Sequence, residues 1–238
     1  MLANREDDAA FWDALESFDP GRLSEDARRW AGARWAQRAQ MEHASIASFA
    51  KFSLQLVMVA APPSLLADAH RAAVDEIHHA RVSFAIASRL LGQPLGPGPV
   101  DLDGDVVGER TLAAVAAETM RDACVGETLA TAEAREAGER ALDSAIRHAM
   151  SVLVRDEQRH AELAWRFVAW AAEVGGAPIR KLLRATFEAA VTANASSLDP
   201  GAPHFPGLGH LSPAESARVR AATIDATLWP AMRALDPG

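Results

Sequence analysis

"DEIHHARVSF", residues 75–84, and "DEQRHAELAW", residues 156–165, share the pattern Asp-Glu-x-x-His in one chain of 238 residues. Both lie in runs rich in Ala, Leu, Glu and Arg, which favour helix. Positions three apart on a helix lie on one face, with Cβ atoms ~5–6 Å apart. Glu76 and His79 can therefore bind one ion together, and so can Glu157 and His160. Carboxylate plus imidazole without thiolate suits iron or manganese and not a structural zinc.

Helical periodicity extends outward from both stretches, and strand signals are scarce. A short amphipathic segment, "DDAAFWDALESF", ends at "DPG". Ser24 then reads as an N-cap followed by acids in the first turn. A first long helix is expected from about 25 to 60, stopping at "APP", and a second from about 63 to 91. Pro63 is tolerated in the first turn of that second helix, and Gly92 closes it. The Gly, Pro and Asp of "GQPLGPGPVDLDGDVVG", residues 92–108, mark a long connection. A third helix starts near Glu109. A fourth reaches about Val174 and stops at "GG", a fifth covers about 178–194, and a last runs from about 213 to 234 with a possible bend at Pro230. The long helices thus form two tightly joined pairs separated by one long connection, which lets the second pair cross over.

A two-metal site of the bundle type also needs one Glu from each remaining helix. The first helix carries Glu42 in "MEHAS" and the third carries Glu127 in "VGETLA". At ~100° per residue, Glu118 falls ~180° from Glu127 and Glu133 ~120° away. Depth decides where the third helix ends. A turn at Leu142-Asp143 leaves Glu127 about 15 residues before it and Glu157 about 14 after it. A turn at Gly138 mismatches the two arms by ~12 Å at ~1.5 Å per residue. Asp143 is therefore taken as the cap, and Gly138 stays inside the third helix at a cost of ~1 kcal/mol. Asp75 and Asp156, each directly before a Glu of the repeat, are expected to hold the second N–H of the ligand histidines, across the bundle.

Composition sets the wider limits. Hydrophobic residues make up 49 % and charged residues 24 %, as in ordinary globular chains. The net charge of −8 and the lack of a basic tract argue against a nucleic-acid partner. The start, "MLANREDDAAF", lacks the apolar core of a signal peptide. No apolar run approaches the ~20 residues that cross a bilayer. Cys124, the single cysteine, excludes an internal disulfide and any Cys-rich metal site. A cytoplasmic protein with no membrane partner is expected.

With Glu42, Glu76-x-x-His79, Glu127 and Glu157-x-x-His160 in this order, the chain resembles the ferritin-like diiron-carboxylate superfamily over roughly residues 25–173. The resemblance implies an all-α, ferritin-like four-helix bundle with a long crossover connection. Residues 1–238 would be one domain, with its core bundle at about 25–173 and a C-terminal helical extension at about 177–238. It implies two Fe ions, with Mn possible. Glu42 and His79 would serve one metal, Glu127 and His160 the other, and Glu76 and Glu157 would bridge. The implied activity is that of an O2-dependent oxidase or oxygenase acting on a small organic substrate with an external electron donor, as a monomer or homodimer. The alternatives are a ferroxidase or iron-handling protein, a peroxide scavenger, a dimanganese catalase-like enzyme, and a non-catalytic scaffold.

Departures from relatives narrow this. One cysteine cannot build the Cys-rich iron site of rubrerythrin. The absence of tyrosine removes the radical of the ribonucleotide reductase small subunit. Leu153 stands where arylamine N-oxygenases carry an extra His. Storage ferritins form a cage from shorter chains, and the added residues here after the fourth helix could cover a pocket, as could the Pro/Gly loop over 195–213.

Other candidates have plainer readings. His43 and His78 point ~100° and ~160° from their neighbouring Glu, and Glu162 lies ~140° from Glu157. Cys124 could line a pocket but is better read as a small core residue. Phe49, Phe52, Trp165 and Phe167 read as core, with one or two walling a cavity. His204 and His210 could cover the site or have no part in it.

Overall fold

A computed structural model of the chain describes residues 6–102, 108, 110–195 and 204–235. Among the described residues it is all-α, with no strand. The elements are α1 (Glu6–Ser17), α2 (Glu25–Met58), α3 (Pro63–Leu91), α4 (Leu112–Thr119), a π-helix (Met120–Glu127), α5 (Thr128–Glu139), α6 (Ser144–Ala195), α7 (Pro213–Thr223), a second π-helix (Ile224–Leu228) and α8 (Trp229–Leu235). None of these helices is long and apolar enough to cross a membrane.

Local chemistry fixes most boundaries. The Ser24 hydroxyl accepts from Ala27 N–H at 3.2 Å and opens α2. Pro63 occupies the first turn of α3, and Gly92 closes it with φ 68°, a left-handed conformation that costs glycine little. The third long helix is continuous through α4, the first π-helix and α5. Its expected start, Glu109, lies outside the described residues. The first capped turn is at Thr111, whose hydroxyl accepts from Ala114 N–H at 3.2 Å. Asp143 accepts from Ala145 N–H at 2.8 Å and so caps α6. Gly138 stays inside α5, where a Cβ would stand 2.9 Å from the Cβ of Met150. The glycine thus allows α5 and α6 to approach closely below their turn.

Helix α6 contains a break at Gly176 (φ 63°, ψ −152°), just before Pro178. That break separates the fourth and fifth helices read from the sequence. The last helix carries its irregularity as the π-helix Ile224–Leu228, next to Pro230. Pro230 has no N–H, and its ring opposes a regular preceding turn.

Helix α2 lies along α3, the α4–π–α5 helix lies along α6, and α3 packs on α6. One apolar core, around Leu56, Met120, Phe167 and Phe187, fills the end nearest the α2–α3 turn. A second, around Trp35, Ile86, Ile146 and Met150, fills the other end. A belt of buried polar side chains lies between them.

The late loop is described only in part. Residues 196–203 of the loop lie outside the described residues. The remainder packs on the Trp35 end, where Trp35 Nε1–H donates to the Leu208 carbonyl at 3.0 Å. Gly209, at φ 83°, approaches so closely that a Cβ would meet the Trp35 ring at 2.6 Å.

Candidate metal centre

The two repeats supply the polar belt. Helix α3 contributes Asp75, Glu76 and His79, and α6 contributes Asp156, Glu157 and His160. Glu42 comes from α2, and Glu127 ends the π-helix. Asp75, Glu76, His79, Asp156, His160 and Glu42 are all buried.

The geometry is reciprocal. Glu76 places Oε2 3.5 Å from His79 Nδ1 and Oε1 3.2 Å from His160 Nδ1. Glu157 places Oε1 3.3 Å from His79 Nδ1 and Oε2 3.1 Å from His160 Nδ1. Each of these glutamates therefore presents one oxygen toward each histidine. The far ring nitrogens cross between helices. His79 Nε2 lies 3.3 Å from Asp156 Oδ2, and His160 Nε2 lies 3.3 Å from Asp75 Oδ2. Both aspartates accept from Arg159 Nη2, at 2.9 Å for Asp75 and 2.8 Å for Asp156.

Ligand atoms of Glu42, Glu76, His79 and Glu157 lie within 4.8 Å of one another, so this buried group could hold a metal ion. Glu127 is not in that tight group. It shares a cavity wall with His160. Glu76 Oε2, His79 Nδ1 and Glu127 Oε2 are buried without a hydrogen-bond partner. Buried polar atoms are normally satisfied, and atoms left in this way at the meeting point of four acids suit a cation.

Titration reflects the same crowding. Burial, with the charge of Glu157 adding to it, pushes Glu127 up to about 8. Burial also carries Glu42 up to about 8 against the pull of Arg38. Burial disfavours the cation of His160, yet its bond to Asp75 and its contacts with Glu157 and Glu76 raise it to about 11. His79 rises well above its ordinary value, burial being outweighed by Asp156, Glu157 and Glu76. Burial works to raise Glu157, but its bond to His160 and the close charges of both histidines bring it down to about 2.

Beside Glu127 and His160 lies a cavity of about 240 Å³ between α2, α4, the first π-helix and α6. Phe49 and Phe52 form part of its wall, with the Phe49 ring edge-on to His160 at 5.0 Å. The described C-terminal residues do not line it. Of the late loop that could cover it, the described Leu208 and Gly209 pack against Trp35, on the far side of the polar belt.

Other candidates fall outside the centre. His43 lines a surface groove with Ile46 and Ile77. His210 sits between Trp30 and Trp35, at 5.7 and 5.6 Å. His204 makes an edge contact with Trp30 and has Nε2 3.0 Å from the His210 carbonyl. Cys124 is a fully buried core residue beside Glu127.

The structure adds residues that spacing alone passed over. Glu118 lies on the wall of the same cavity as Glu127, although α-helical spacing sets the two on opposite faces. The π-helix between them explains this, because each i→i+5 turn takes in an extra residue and rotates what precedes it. Arg159, at the x position before His160, links Asp75 with Asp156. Arg38, one turn before Glu42, lies 3.6 Å from its carboxylate. For Arg159 and Arg38, a signal existed in the i,i+3 and i,i+4 spacing from Asp156 and to Glu42.

Comparison of the chain with protein-family models, with curated proteins and with solved structures gives no match.

Proposed function

We propose that this protein is a ferritin-like, non-haem diiron oxidase or oxygenase that uses O2 to oxidise a small organic substrate. One observation carries the reading: Glu76 and Glu157 each offer one oxygen toward each histidine, the arrangement two bridging carboxylates require. Glu42 and His79 would complete one ion's ligands, and Glu127 and His160 the other's. The donor set is oxygen and imidazole nitrogen, which fits iron and also admits manganese.

Glu42, Glu76, His79, Glu127, Glu157 and His160 would hold two Fe(II) ions, which would supply the electrons for O2 reduction. The chain's own residues do the rest. Asp75 and Asp156 accept the Nε2–H of His160 and His79, which fixes the ring orientation, so that an Nδ1 freed of its proton by a metal ion would aim its lone pair at the glutamates. Arg159 holds both aspartates in that role. Phe49, Phe52, Leu163 and Ala164 give the cavity apolar wall near Glu127 and His160, which would hold the apolar part of a substrate. The cavity supports an organic substrate over simple iron oxidation, because such a wall has no use in passing Fe(II). The proposal includes an external electron donor, a monomer or homodimer, and a cytoplasmic setting.

The test is to reduce the iron-loaded protein, admit O2, then supply excess Fe(II) and follow ferric product. A single turnover that stalls without reductant and substrate is expected. Many fast turnovers per chain would replace this reading with a ferroxidase.

A further inference from the structure

The cavity beside Glu127 and His160 carries information about what it admits, given the oxygenase reading on which this inference rests. Its volume of about 240 Å³ lies below the ~300–1,000 Å³ of pockets that take drug-sized ligands. Phe49, Phe52, Leu163 and Ala164 supply apolar wall, and Ser45, Ser48 and Thr119 supply neutral polar wall.

Apart from Glu127 and His160, the charged groups on its wall are already paired within the protein. Lys51 Nζ donates to Glu118 Oε1, and Gln55 Nε2 donates to Glu118 Oε2 at 3.2 Å. Lys51 and Glu118 are both about two-thirds covered. Asp122 accepts from Arg121 Nε and Nη2, each at 2.8 Å. An anionic ligand would have to draw Lys51 away and leave Glu118 in the wall without its cation. A cationic ligand would have to draw Glu118 away and strand Lys51. Leaving a half-buried charge unpaired disfavours both, and a site can reject a ligand in this way without any clash.

We propose that the cavity selects an uncharged molecule the size of a single aromatic ring or a short aliphatic chain, with the Lys51–Glu118 pair rejecting acids and amines of the same shape.

The experiment measures equilibrium binding by calorimetry. The protein is loaded anaerobically with Mn(II), and the probes are 4-methylphenol (neutral), benzoate (anion) and benzylamine (cation). The neutral probe is expected to bind at least ten-fold more tightly than either charged one. Glu118→Gln leaves Lys51 without its carboxylate and should raise benzoate affinity at least ten-fold. Lys51→Met leaves Glu118 without its cation and should do the same for benzylamine. Ala164→Trp, and independently Ala123→Leu if the first does not fold, should abolish neutral binding. Benzoate or benzylamine binding the native protein as well as 4-methylphenol would overturn the proposal. So would unchanged charge preference in both Glu118→Gln and Lys51→Met, or no probe binding at all. Metal content measured on the same samples reports separately on the diiron reading, so a failure there is not confused with a failure of substrate selection.

Discussion

Asp156, on α6, lies 3.3 Å from Nε2 of His79 on α3. The return contact, Asp75 of α3 to His160 of α6, has the same length. Each helix therefore carries the acid that orients the other helix's imidazole. The repeat Asp-Glu-x-x-His is one unit used twice: its Glu and His face the centre, and its Asp supports the opposite half. Asp156 sits well below the usual carboxylate range, burial being outweighed by its bond to His79. As an ionised acceptor it demands a proton on His79 Nε2.

Removing that support should weaken metal binding without removing a ligand. Asp156→Ala and Asp75→Ala are each expected to lower metal affinity by about 10–100-fold, read by competition with a chelator of known affinity. Affinity equal to that of the native chain in both variants would show that the cross-bundle contacts do not orient the histidines.

The register of α5 against α6 rests on Gly138. Because a Cβ there meets Met150 at 2.9 Å, Gly138→Val should destabilise the protein by about 1–3 kcal/mol through overpacking. Denaturant unfolding measures it. A variant as stable as the native chain would show that the two helices do not approach at this point.

Much of this arrangement was legible in the sequence because it depends on residues with strong local rules. Pro63 and Gly92 bound α3 where expected. Asp143 caps α6, and matching depths along two arms kept Gly138 inside a helix despite its low propensity. The reciprocal aspartates followed from the chemistry of a bound imidazole. What escaped the sequence depends on non-local or irregular backbone. Nothing in "MRDACVGE" announces i→i+5 bonding, so Glu118 was turned away from the cavity it lines. Composition left open whether the late loop covers the centre; its described residues follow tertiary contacts of Gly207 with Leu142 and of Gly209 with Trp35.

His210 gives a pH signature. Burial, reinforced by the nearby charges of Arg38 and Arg34, lowers it to about 3, whereas an unfolded histidine titrates near ~6.5. Between these values the unfolded chain binds a proton that the folded chain does not, so stability falls as pH drops from about 6.5 toward 3. His210→Gln, which does not titrate, should show a shallower loss of melting temperature over that window. Parallel pH profiles for the two proteins would contradict the burial of a neutral imidazole at this position.

The C-terminal helices bear on assembly. Phe187 of α6 packs on Trp229 of α8 with ring centroids 4.9 Å apart, and Leu228 and Met232 are buried against the same core. Added helices fixed in this way are expected to limit the protein to a monomer or homodimer. Light scattering should give one or two chains per particle, and a cage-sized mass would favour the storage reading.

The central claim is that Glu42, Glu76, His79, Glu127, Glu157 and His160 hold two metal ions. Metal content per chain, after reconstitution with Fe(II) or Mn(II) and removal of free ion, tests it most directly. The account predicts about two ions in the native chain, and fewer in both Glu76→Ala and His160→Ala, since each removes a ligand. Native stoichiometry retained by both folded variants would contradict it.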